Sequence, residues 1–314
     1  MSQSPLSISR FEVSMTARRW ILMTVGSVLA VVGVFATLAY AIDPYGVLRD
    51  SRGRKLAVFF SERRVKFLMN KRYVPTNFDG LIVGTSASSN WTIPTLLGYR
   101  IYNESLSGGN AAEERFLVDQ GLSTGSYRFA LLLLAPPMTS DHNLQDGLDA
   151  VKTSEALASF HLFVHEAAFT LLAMNRRFSK SETTPDGQYL FNFSQNFNLA
   201  PLEPTYFRID PIAIGQYRSL IQSLQSRGAK IVYVVPPLYE PCYQLNRENY
   251  RAYLEAIRPL LPPAPIIDFE NTEFNSLRAD PDNFMDCFHV TPRGAANVST
   301  LLETLIPRAF AIKN

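Results

Sequence analysis

From residue 78 to the C-terminus, short apolar runs alternate with longer stretches of helical periodicity, and no other feature limits the fold so tightly. Residues 81–83, 129–134, 231–235 and 266–269 are rich in large and β-branched side chains and carry no polar alternation, as expected of strands buried on both faces. Residues 111–120, 212–227 and 249–260 read as helices, and Gly228 stops the second of them directly before a strand. Alternation of this kind predicts an α/β fold, a three-layer sandwich with a central parallel sheet covered by helices.

The first of these strands ends at Gly84-Thr85-Ser86. A glycine turn after a buried strand holds the Ser86 hydroxyl at the C-terminal edge of the sheet, where open α/β sheets place their ligand crevices. Near the other end, Asp286-Cys287-Phe288-His289 precedes Thr291-Pro292, a capping hydroxyl followed by the residue that best fits a first helical position. Ala295, Val298, Leu301, Leu302 and Leu305 continue at helical spacing, so this last helix should pack on the sheet and hold His289 at its entry. Asp286, three residues before the histidine, is placed to accept from the imidazole and stabilise its charged form. Ser86, His289 and Asp286 are therefore the candidate nucleophile, base and acid.

These two stretches resemble the SGNH, or GDSL-like, hydrolase superfamily, in which the nucleophile follows the first strand and a D-x-x-H block lies near the C-terminus. The resemblance covers residues 78–310. It implies that Asn103 to Gly109 is the second block, with the Gly108 amide and the Ser86 amide as oxyanion donors. The third block is not recognisable after residues 131–134, and Asn143 is the substitute for its donor. A narrower resemblance adds a hydrophobic segment, Asp43-Pro44-Tyr45-Gly46 and Arg63-Arg64-Val65-Lys66. Together these look like bacterial membrane-anchored proteins related to polysaccharide O-acetyltransferases and to the D-alanyl-transfer protein of teichoic-acid modification. Some of those accompany a membrane-bound O-acyltransferase, which the resemblance implies as a partner here.

The N-terminus supports a membrane link. Residues 1–19 form a short polar tail, and residues 20–42 contain no charge and are long enough to cross a bilayer core. A signal peptide cleaved after Ala39-Tyr40-Ala41 is the competing reading, but the apolar run exceeds the usual signal length. Arginines flank the run on both sides, so charge does not set the orientation. An extracytoplasmic, periplasmic domain follows from the export-like N-terminus and from the resembling families. Residues 43–77 form a basic juxtamembrane linker, a contact for lipid headgroups or an acidic polymer on one reading and a solvated helix on the other.

The remaining signals are weaker. An insertion over residues 140–207 carries a predicted helix at 154–177 and, at 189–198, aromatic rings alternating with amides; it is expected to be either a carbohydrate-binding wall or a segment packed on the domain. His161 and His165 share a helical face without the glutamate or further ligands of a zinc site, so no metal or other cofactor is expected. His142, in Asp141-His142, is the second choice for the base. Cys242 and Cys287 are either one disulfide or two free thiols. Sequons begin at Asn90, Asn103, Asn192 and Asn297. A net charge of +2 over 314 residues leaves no nucleic-acid footprint.

The leading expectation is a membrane-anchored extracytoplasmic serine acyl-ester enzyme, an O-acyltransferase or acetylesterase, acting on cell-envelope or exported polysaccharide. A non-catalytic glycan-binding partner of a membrane acyltransferase and a lipid esterase are the alternatives.

Overall fold

The structure is a computed structural model that describes residues 10–43, 45, 58–59, 62–144, 182–191 and 194–311. It divides into two units, Met1–Asp43 and Pro44–Asn314. In the first, Arg10–Ile42 is one helix. Its Thr16–Leu38 stretch of 23 residues is apolar enough to cross a membrane, and at 1.5 Å per residue it is about 35 Å long. Large apolar side chains such as Trp20, Leu22, Val25, Leu29 and Val32 are exposed along it, which suits lipid and not water.

The second unit is built on a six-stranded sheet of β2 (Gly80–Val83), β3 (Thr95–Leu96), β4 (Tyr99–Asn103), β5 (Phe129–Leu133), β8 (Lys230–Val235) and β9 (Ile266–Asp268). Across the sheet their order is β3-β4-β2-β5-β8-β9. All pairs are parallel except β3 with β4 at the edge. Three further short strands, β1 (Val58–Phe59), β6 (Glu182–Thr183) and β7 (Tyr189–Leu190), form a small antiparallel sheet.

Alternate residues of each strand point to opposite faces, which divides the core in two. Leu81, Val83, Leu132 and Tyr233 pack with the Glu62–Asn70, Ala111–Leu122 and Pro211–Ser226 helices. Ile82, Leu131, Leu133 and Val234 pack with Ala295, Val298, Leu302 and Ile306 of the Pro292–Ala311 helix. Both faces of β2, β5 and β8 are covered, which explains their unbroken apolar runs and gives the three-layer sandwich expected.

The differences from the sequence expectations have local causes. The helix expected at 249–260 begins earlier, at Glu240, with Pro241 in its first turn, and ends at Ile257 before a short 3-10 segment. Residues 62–77, expected within a basic linker, instead form two helices of the folded unit, Glu62–Asn70 and Tyr73–Asn77. Val65, Leu68 and Met69 are buried in the first core face, and Lys66 is fully buried beside them. The Glu62–Asn70 helix is therefore packed into the domain and is not a solvated helix. The helix expected at 154–177 lies outside the described residues.

Candidate active site

Two chain segments meet at the C-terminal edge of β2. Ser86 opens a four-residue helix, Ser86–Ser89, and the Thr85 side chain caps it by accepting from the Ala87 amide at 3.3 Å. Gly84 makes this tight exit from the strand feasible, because a Cβ there would stand 2.8 Å from Leu133 Cβ. The second segment, Ser105 to Gly109, runs alongside. Leu106 donates to the Gly84 carbonyl at 3.1 Å, and Thr85 bridges Leu106 in parallel register. Asn103 joins the two: its buried amide donates to the Ser88 and Trp91 carbonyls and its oxygen accepts from the Ser105 amide. Gly108 has φ +61, the left-handed region that glycine adopts without strain.

The third segment is a closed turn ahead of the last helix. Asp286 Oδ2 lies 2.7 Å from His289 Nδ1, and Asp286 Oδ1 accepts the Phe288 and His289 amides at 2.8 Å each. Met285 donates to the His289 carbonyl at 2.7 Å, so both ends of the turn are pinned. Thr291 caps the helix as expected, accepting the Gly294 amide at 3.1 Å. Burial acts to raise the Asp286 carboxyl, but the bond and charge of His289 and the two backbone amides outweigh it and hold the group below the usual carboxylate range. A carboxylate accepting at Nδ1 selects the tautomer with its proton there, which leaves Nε2 as the ring nitrogen for proton transfer.

Asn90, at the end of the nucleophile helix, donates to the Val290 carbonyl at 2.5 Å and so ties Ser86's helix to the histidine turn across 200 residues of sequence. Ser86 and His289 line the same cavity, of about 200 Å³. Gly108 and Asn143 are not among its lining residues. Gly108 lies two residues beyond Leu106, the residue that bridges Thr85. The Asn143 side-chain amide donates to Asp141 at 2.7 Å, and its carbonyl accepts from Asn110, the residue that caps the Ala111–Leu122 helix. His142 pairs with Asp210 at 3.2 Å and does not line the cavity.

The basic segment before the sheet holds the loop that carries Gly108. Arg63 Nη2 donates to the Ser107 carbonyl at 2.9 Å, Glu62 accepts the Ser107 amide at 2.8 Å, and Lys66 donates to the Ser105 carbonyl. Arg63 also forms a two-point pair with Glu113, at 2.7 and 3.1 Å. Behind them Asn70 donates to Glu104 at 2.8 Å. Burial pushes the Glu104 carboxyl up to about 8, against the lowering effects of Lys66's charge and Asn70's hydrogen bond. Sequence reasoning missed this clamp, since its partners are 39 to 50 residues apart.

The insertion contributes a strap. Gln195 donates to the Phe284 carbonyl at 2.9 Å and Asn196 to the Met285 carbonyl at 2.7 Å, so the strap lies along the histidine turn. Phe191 packs edge-on against His289 with ring centroids 5.1 Å apart, and Phe197 packs on Tyr239 at 4.4 Å. Those two rings are packed on the domain; Asn192 and Phe193 lie outside the described residues. Cys242 and Cys287 are joined in a disulfide that links the Glu240–Ile257 helix to the histidine turn. Asn90 and Asn103 are buried with engaged amides, which leaves no room for a glycan at either sequon. Among the described residues no group of three or more His, Cys, Asp or Glu is placed to hold a metal; His161 and His165 lie outside them.

No protein-family model matches the chain, and no curated protein matches it. Among solved structures it is similar to a provisionally assigned platelet activating factor from Streptococcus pneumonia, with a TM-score of 0.40 and 13% identity over 78% of this chain and 90% of that one. It is also similar to the lipase/acylhydrolase from Enterococcus faecalis, with a TM-score of 0.33 and 10% identity over 72% and 94%.

Proposed function

We propose that this chain is a membrane-anchored serine acyl-ester enzyme whose folded unit works outside the cytoplasm on O-acyl groups of a cell-envelope or exported polysaccharide. The observation that carries the reading is the Asp286–His289 pair at 2.7 Å with His289 and Ser86 lining one cavity. In the first step the Ser86 Oγ–acyl carbon bond forms while the ester C–O bond breaks. His289 takes the serine proton and gives it to the departing alkoxide. In the second, an acceptor hydroxyl or water bonds to the acyl carbon, its proton passes to His289, and Ser86 Oγ leaves and recovers a proton. Asp286 stays ionised throughout and stabilises the imidazolium. The Ser86 and Gly108 amides are the donors for the oxyanion.

Two other features support the compartment. A disulfide bracing the histidine turn favours oxidising surroundings, as outside the cytoplasmic membrane. The apolar Thr16–Leu38 helix supplies the anchor. Exposed amide side chains at Asn196 and Asn198 line, with Asp286, a neighbouring pocket and suit sugar hydroxyls. The test is turnover of short-chain p-nitrophenyl esters and of an O-acylated glycan by the full chain. Wild type should act on both, and Ser86→Ala and His289→Ala should each lose about 10⁴-fold or more in rate. Retained turnover in Ser86→Ala would contradict the assignment.

A further inference from the structure

The cavity at Ser86 runs away from the nucleophile along the C-terminal edge of the sheet, and its composition changes along the way. Besides Ser86 and His289, the lining includes the rings of Tyr206, Tyr250 and Phe288; its aliphatic wall is formed by Leu134, Ala135, Val235, Leu238 and Leu254. These belong to the ends of β5 and β8 and to the Glu240–Ile257 helix, and all five are buried. Pro136, Pro137 and Pro236 continue the lining where the strands end. Proline has no backbone N–H, so this stretch of wall offers fewer polar groups than any other residue would. A sugar ring, with a hydroxyl on nearly every carbon, would strip those hydroxyls of water here and find few partners in exchange, chiefly Tyr206 and Tyr250. An aliphatic chain loses nothing by entering.

The volume sets the size. An apolar cavity of about 150 Å³ holds a six-carbon ring. The cavity here is about 200 Å³. The methyl group of an acetyl ester would leave most of it empty, and empty apolar space forfeits the contacts its walls would otherwise make.

Resting on Ser86 as the nucleophile, we infer that the acyl group carried by this enzyme is a medium-length aliphatic chain, of about four to eight carbons, and not acetyl. The ester carbonyl sits at Ser86 and the alkyl tail lies along Leu134, Val235 and Leu254. The alcohol side leaves past His289.

The test is kcat/KM of the full chain in lipid nanodiscs on p-nitrophenyl acetate, butyrate, hexanoate and octanoate, each divided by the alkaline hydrolysis rate of the same ester. Each buried methylene should raise the ratio roughly fourfold, so that hexanoate exceeds acetate by about two orders of magnitude. Ala135→Leu fills part of the pocket and should move the optimum to a shorter chain; its melting temperature reports whether it folds, and the wild-type profile decides without it. A flat or falling profile, with acetate turnover that depends on Ser86, would overturn the inference and leave the serine assignment standing. No turnover of any ester and no dependence on Ser86 would remove both.

Discussion

Arg63 Nε lies 2.7 Å from Glu113 Oε1, and the same guanidinium donates to the Ser107 carbonyl at 2.9 Å. One side chain thus ties the helix ahead of the sheet to the first turn of the Ala111–Leu122 helix and to the loop between them. That loop holds Gly108, so the position of the proposed oxyanion donor depends on a residue with no chemical role of its own.

Removing Arg63 should therefore cost both stability and rate. Arg63→Ala takes the two-point pair from the buried Glu113 carboxylate, and since Arg63 is only part-buried the loss should fall at or below the roughly 3–5 kcal/mol of a fully buried pair. Arg63→Lys keeps the charge but not the two-point geometry, and should recover only part of the loss. Denaturant unfolding of both variants, alongside kcat on a short ester, checks the order wild type, lysine, alanine.

Asp286 pairs with His289 Nδ1, and its carboxyl is held below the usual range. Asp286→Asn should lower kcat by about 10⁴-fold with little change in KM, as the wrong tautomer becomes populated. The stability that the carboxylate contributes is fully present above its unfolded pKa of about 3.9 and is lost as pH falls through the lower folded value. The stability gap between wild type and Asp286→Asn should therefore be open at pH 7 and close at pH 2, measured by urea unfolding.

Glu104 gives the opposite slope. Its carboxyl is pushed up to about 8 in the folded state, whereas the unfolded value is about 4.3. Folding then takes up a proton between these two limits, so the stability from this group is complete below the lower pKa and falls as pH rises to the upper one. Glu104→Gln, which resembles the neutral acid, should flatten the decline of melting temperature between pH 5 and pH 8. An unchanged decline would show that another group carries it.

The Cys242–Cys287 link closes 45 residues. By loop-closure entropy it contributes about 4 kcal/mol. Cys242→Ser with Cys287→Ser should lower the melting temperature and, since Cys287 lies between Asp286 and His289, lower kcat as well. Wild type treated with a reductant should approach the double variant in both measurements.

The catalytic candidates were legible because their signals are local. A strand ending in Gly84-Thr85-Ser86 and a capped helix after Asp286-Cys287-Phe288-His289 each encode their geometry within a few residues. The parallel sheet was legible because β2, β5 and β8 are buried on both faces. The edge pair β3 and β4 was not, since polar Arg100 and Asn103 interrupt the apolar pattern. Lys66 and Arg63 read as a solvated basic run because the groups that neutralise and accept from them, Glu113, Ser105 and Ser107, lie far along the chain. Phe191 was noticed only as one of several aromatics; its contact with His289 depends on how the strap docks.

The most direct measurement is reaction of the full chain with a fluorophosphonate, with the modified residue located by mass spectrometry. An activated nucleophile at Ser86 predicts a single adduct on that serine, absent in Ser86→Ala and lost or greatly slowed in His289→Ala. A folded wild-type protein that forms no adduct, or forms it on another serine, would contradict the assignment of Ser86, His289 and Asp286 as a catalytic set.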